Sequence, residues 1–101
     1  MKVTPNYNIS LPGNLVYRRR GDVPLGELMG MAYGPDDAKM VAAVLNGEEV
    51  WEHDHFPPYA STWYDVEDST GDRIISLRNH PDADLVARLL NSARVKIAED
   101  L

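Results

Sequence analysis

The 101-residue chain contains no cysteine, one phenylalanine and no apolar run longer than Met40–Leu45. Without thiols there can be no disulfide framework, thiolate metal site or cysteine nucleophile, a usage that fits a reducing cytoplasm. The longest apolar run is far short of the roughly 20 residues that span a bilayer, and the opening MKVTPNYNIS lacks the apolar stretch of a signal peptide. A cytoplasmic protein without a membrane partner is therefore expected. Positive charge is scarce too: 10 Lys and Arg stand against 16 Asp and Glu, for a net charge of −6. The deficit lies in the second half, where residues 51–101 hold five basic and ten acidic side chains. Such a surface repels phosphate backbones, so nucleic acid is disfavoured as a partner. No G-x-S-x-G elbow, P-loop or H-E-x-x-H helix occurs. The sequence predicts neither an enzyme nor a cofactor.

What is present is a phrase written twice. DAKMVAAVLN (Asp37–Asn46) returns as DADLVARLLN (Asp82–Asn91), forty-five residues on, with six of ten positions identical. Ala38, Val41, Ala42 and Leu45 fall at i, i+3, i+4 and i+7, as do Ala83, Val86, Ala87 and Leu90. That spacing is the single apolar stripe of an amphipathic helix. Pro35 and Pro81 suit helix entrances, the aspartates suit the positive end of the dipole, and Asn46-Gly47 suits a stop. The second copy continues as SARVKIAEDL, whose Ala93 and Ile97 extend the stripe, so a longer second helix is expected.

Upstream of each helix the pattern is a hairpin. Trp63–Glu67 and Arg73–Arg78 read as strands around a turn at Gly71. Asn14–Arg19 and Val23–Tyr33 read likewise around Arg20–Asp22, with Pro24 tolerated at a strand start. A lone β-hairpin–helix unit cannot bury its apolar face, but two together can. The sequence thus predicts one α+β domain over 1–101, ββαββα, with a four-stranded antiparallel sheet and two helices on one face. Residues 1–13 form an arm or at most a short edge strand, 14–46 the first unit, 47–61 a linker and 62–101 the second unit.

Val66, Asp68 and Gly71, followed by DADLVARLLN, resemble a hairpin–helix unit, V-x-D-x-x-G then D-A-x-L, of small actinobacterial and actinobacteriophage proteins. The resemblance covers residues 63–91, and more loosely 14–46. Its residues are structural, and no catalytic group transfers with it. It implies an origin, that of a phage accessory protein.

Three groups are candidates for function. In EEVWEHDHF, His53 and His55 would face one side of a strand and could share a metal ion with Glu49, Glu52 or Asp54. The alternative is a solvated acidic linker. Arg18, Arg19 and Arg20 could touch phosphates at a hairpin tip, although no aromatic residues are interleaved to stack bases. Third, if Ile75 and Leu77 face the helices, the offset of forty-five assigns Gly30 and Ala32 to that side, and Gly26 and Leu28 with them. Gly26 and Gly30 would then admit a close-packed helix. Leu25, Met29, Met31 and Tyr33 would point away with Ile74, joined by Trp63. An open sheet face is normally polar. Methionines and aromatics there suit an adaptable contact with a protein partner or a second copy, unless the linker or arm covers them. The expected function is a non-enzymatic protein–protein interaction module.

Overall fold

A computed structural model describes residues 7–10, 13–19 and 26–96. Eight strands and two helices follow in the order β1 (Tyr7–Ser10), β2 (Leu15–Arg18), β3 (Glu27–Ala32), α1 (Pro35–Leu45), β4 (Val50–Trp51), β5 (Ala60–Thr62), β6 (Asp65–Glu67), β7 (Arg73–Leu77), α2 (His80–Ser92) and β8 (Val95–Lys96). Six strands form one antiparallel sheet in the order β1-β2-β3-β7-β6-β5, and β4 and β8 form a parallel pair. The α+β class and antiparallel sheet match expectation. The strand count does not, because three strands of the main sheet precede each helix instead of two, and β4 and β8 pair outside that sheet. The additional strands are β1, from the arm, and β5, where the linker ends. Both are short edge strands; β1 alternates over only four residues, with Tyr7 and Ile9 against the core, and β5 has no alternating apolar pattern. No helix among the described residues is long and apolar enough to cross a membrane.

A side-chain device explains how such weak edges are held. Asn46, at the end of α1, accepts from the backbone N–H of Tyr7 and donates to its carbonyl, both at 3.1 Å. Asn91, near the end of α2, does the same to Tyr59, just before β5, at 2.6 and 2.8 Å. The asparagine closing each copy of the repeated phrase thus acts as a backbone surrogate for the first strand beneath it.

The registers of the two halves follow the same plan. β3 and β7 meet at the centre, with Gly30 opposite Leu77, Met31 opposite Ser76 and Ala32 opposite Ile75. β2 loses step with β3 between Val16 and Tyr17, leaving Met29 as an extra residue, and β6 loses step with β7 between Val66 and Glu67, leaving Ile74 extra. These two bulges are forty-five residues apart. A bulge sends two successive side chains to one face. Met29 is 2% exposed, Ile74 and Ile75 are fully buried, and all three lie in the core beneath the helices with Val16, Val66 and Leu77.

The bulge corrects the parity prediction. Met29 does not point away from the helices, and upstream of it the alternation is reversed, so Leu28 and its partner Tyr17 take the outer side. The glycines are corrected as well. A Cβ on Gly30 would lie 2.6 Å from the Ser76 carbonyl oxygen, so it is the neighbouring strand, not a helix, that comes close. Gly26 precedes β3 with φ +87°, a conformation that disfavours any side chain. Leu25 lies outside the described residues.

The helices form where the phrase predicts. Val41, Ala38, Val86, Ala83 and Leu90 are buried, whereas Leu45 is only partly so. α1 begins on extended Gly34 with Pro35 in its first turn, and α2 is capped by Asn79, whose side chain accepts from the Asp82 N–H at 2.9 Å. α2 is the longer helix, but it does not run on through Ala93. Ala93 is extended, and the chain turns into β8 beside β4. Ile97 lies outside the described residues.

Candidate interaction surfaces and the His55 clamp

The predicted contact face is divided. On the outer side of the sheet, one row across the strands reads Leu15, Met31, Ser76 and Asp65. The first half contributes Leu15, Tyr17, Leu28 and Met31, while the second contributes Ser76, Asp65, Glu67 and Arg73. Met31 and Tyr33 are exposed, at 54% and 53%, and Leu15, Tyr17 and Leu28 are half-buried. An apolar half-face beside a polar one is consistent with the placement of Met31 and Tyr33, and not of Met29.

Trp63 is not in a strand. Thr62 pairs with Asp65, so Trp63 and Tyr64 form a two-residue turn between β5 and β6. Trp63 has φ +54° and is 76% exposed. A bulky residue in this left-handed region is strained by roughly 1–2 kcal/mol. The turn is held by His80, whose Nδ1 lies 2.7 Å from the Trp63 carbonyl, and by the Leu77 N–H, which donates to the Tyr64 carbonyl at 2.7 Å. Asp84 receives a hydrogen bond from Ser61 Oγ and lies 3.5 Å from His80 Nε2. Serine, histidine and aspartate therefore meet here, but the serine donates to the acid and not to an imidazole base. This order fixes an edge strand and activates no nucleophile.

The arginine run is weakened as a phosphate site. Arg18 pairs with Glu27 on the adjacent strand at 2.7 Å. Arg19 is exposed, and Arg20 lies outside the described residues.

The two histidines do not lie on a strand. They sit in the segment between β4 and β5, where the Pro57–Pro58 peptide is cis. His53 Nδ1 accepts from the His55 N–H at 3.1 Å, and the ring centroids are 6.0 Å apart. His55 Nε2 is 2.7 Å from Asp37 in the first turn of α1, and its Nδ1 is 3.3 Å from Asp68 after β6. One ring therefore ties the crossover segment to both halves. Asp68 is the hub, with its side chain fully buried. One of its oxygens accepts from the Thr70 N–H and hydroxyl and the Asp72 N–H, and the other from the Phe56 N–H beside His55. Sequence reading missed this residue as a hub, although the D-x-x-G-D turn already marked it as a turn former.

The electrostatics follow from those contacts. Burial by itself would raise the Asp68 carboxyl, but the bonds from Thr70, Phe56 and Asp72 outweigh it and hold the group well below the usual carboxylate range. Burial would lower the His55 imidazole, but Asp37 and Asp68 outweigh it and raise the pKa. His53 is lowered, by burial and then by the neighbouring His55 charge. His55, Asp68 and Asp72 also offer ligand atoms within 4.8 Å of one another. A metal ion there would have to displace the donors on Asp68 and take a His55 nitrogen from its carboxylate. The donor set is already used by the clamp, and His53 belongs to no such group among the described residues.

The clamp carries a pH signature. Because the folded pKa of His55 is raised, its stabilisation is complete below the unfolded value of about 6.5 and is lost as pH rises through the folded value. His53 opposes this on the acid side, so the measurement uses His53→Asn, whose side-chain oxygen can still accept from the His55 N–H. Its melting temperature is expected to fall as pH rises above about 6.5, and adding His55→Asn should remove that slope. An identical slope in both proteins would mean that His55 is not the titrating group.

Compared with protein-family models, curated proteins and solved structures, the chain matches none.

Proposed function

We propose that the chain is a non-enzymatic protein-binding module, a duplicated three-strand–helix unit whose helix-free sheet face docks a protein partner or a second copy. The observation that carries this reading is the apolar half-face around Met31 and Tyr33, on the side of the sheet without helices. At about 25 cal/mol per Å², covering a few hundred square ångströms there contributes several kcal/mol before the costs of association. Duplication is supported by the paired asparagine clamps, by the two bulges at the same offset, and by Met31 and Ser76, which are equivalent under that offset and also each other's sheet partners. An accessory role in an actinobacterial or phage cytoplasm is the setting the hairpin–helix resemblance suggests.

Light scattering and in-cell crosslinking of the wild type and of Met31→Glu test the reading. Self-association of the wild type that gives way to a folded monomer supports docking of a second copy. A monomeric wild type with a crosslinked product that disappears in the variant supports a different protein. A monomer whose crosslinks ignore the charge at position 31 removes this face from consideration.

A further inference from the structure

A second surface lies on the crossover segment. Asp36, Asp37, Glu49, Glu52 and Asp54 line a cavity of about 650 Å³ between α1 and this segment, outnumbering the basic Lys39, His53 and His55 in its lining. Asp37 is engaged by His55, whereas Asp36, Glu49, Glu52 and Asp54 are exposed. On the other side of the segment is a groove of about 280 Å³ between Phe56, Pro57, Tyr59, Leu90 and Val95. Val50, Glu52, His53 and His55 belong to both, so the acidic cavity and the apolar groove share a wall. Trp51, Phe56 and Val95 are 61%, 57% and 50% exposed around them. The wall is held in place by His55 against both halves of the molecule.

We infer that this surface docks a basic amphipathic segment of another protein, seating an apolar side chain in the groove and lysine or arginine in the acidic cavity. Charge complementarity selects that occupant. An acidic or neutral segment would add like charge or forgo the carboxylates, whereas a cation gains them. The apolar groove requires more than charge, so a purely basic chain leaves Phe56 and Val95 uncovered. The inference shares with the proposed function the idea of a binding module, but it does not use the sheet face.

The test is selection of a random displayed peptide library on the full chain, followed by titration of a synthetic consensus peptide. With Trp63→Phe as background, Trp51 is the only tryptophan and its emission reports the site. Enriched peptides are expected to combine basic and aliphatic or aromatic residues. Affinity should fall about tenfold or more in Glu49→Gln/Glu52→Gln/Asp54→Asn. Phe56→Ser should weaken binding without removing its salt dependence, and an oligolysine of equal charge should bind far more weakly. Each altered position is exposed, and an unchanged melting temperature confirms the fold of each variant. Failure to enrich basic amphipathic peptides, binding indifferent to the triple variant, oligolysine binding equal to the consensus, or an unmoved Trp51 emission overturns the inference. Met31→Glu should leave peptide affinity unchanged, so failure of the sheet face and failure of this surface are read separately.

Discussion

Met29→Glu is expected to abolish the cooperative fold, while Met31→Glu, two residues along the same strand, should melt within about 0.5 kcal/mol of the wild type. Simple alternation would put the two methionines on one face and give the two substitutions similar effects. The bulge separates them. Met29 is 2% exposed among Val16, Ile74 and the helix residues, whereas Met31 is 54% exposed. A glutamate at position 29 must be buried without a partner, which costs several kcal/mol even when the carboxyl is neutralised, and the methionine's packing is lost as well. A chain of this size is ordinarily stable by only about 5–15 kcal/mol, so such a loss is enough to unfold much of the population. Chemical denaturation of the two variants side by side decides the matter. Comparable midpoints would show that Met29 is not a core residue and that the pairing of β2 with β3 is misplaced.

The contrast marks where the sequence is legible. The helices are readable because a stripe at i, i+3, i+4 and i+7 is a local property and was written twice. Bulges are not local in that sense. A strand acquires one where its partner's pairing slips, and the strand that slips past Met29, β2, is a separate segment. The offset of forty-five nevertheless contained the hint, since Met29 and Ile74 occupy the same position in the two halves. Applying strict alternation to both carried the same error into each. Edge strands were harder. Tyr7–Ser10 alternates over only four residues and Ala60–Thr62 carries no apolar period, and their order derives from Asn46, legible only as part of a helix stop, and from Asn91, legible only as a position inside a longer helix. The clamp was beyond spacing arguments altogether. His55 meets carboxylates eighteen residues before it and thirteen after it, so its proximity in sequence to His53 suggested a metal where the fold supplies counter-charges.

Asp68→Ala is expected to cost roughly 3–5 kcal/mol, the range for breaking a buried charged pair by removing one partner. The carboxylate accepts from Phe56, Thr70 and Asp72 and faces His55, so its removal leaves several donors short at once. Each donor that stays buried without a replacement costs about 1–3 kcal/mol, while those of exposed Thr70 and Asp72 can turn to water. Phe56 is an exposed residue too, so the lost counter-charge to His55, whose side chain is only 13% exposed, accounts for most of the cost. Asp68→Asn separates geometry from charge. Its oxygen can still close the turn to Thr70 and Asp72, but its amide then presents a donor to the Phe56 N–H and to His55, so an intermediate loss is expected. The acid limb of the stability profile supplies a second readout. The folded pKa of Asp68 is depressed, so its contribution is present above the unfolded carboxyl value of about 3.9 and is lost as pH falls towards the folded one. Asp68→Ala should flatten that limb, and it should weaken but not remove the alkaline limb set by His55, because Asp37, the stronger of the two counter-charges, stays in place. An alanine variant that melts within about 1 kcal/mol of the wild type would show that the turn closes without the carboxylate. The crossover segment would then owe its position to the His55–Asp37 contact, the Asn91 clamp on Tyr59 and the packing of Val50 and Tyr59.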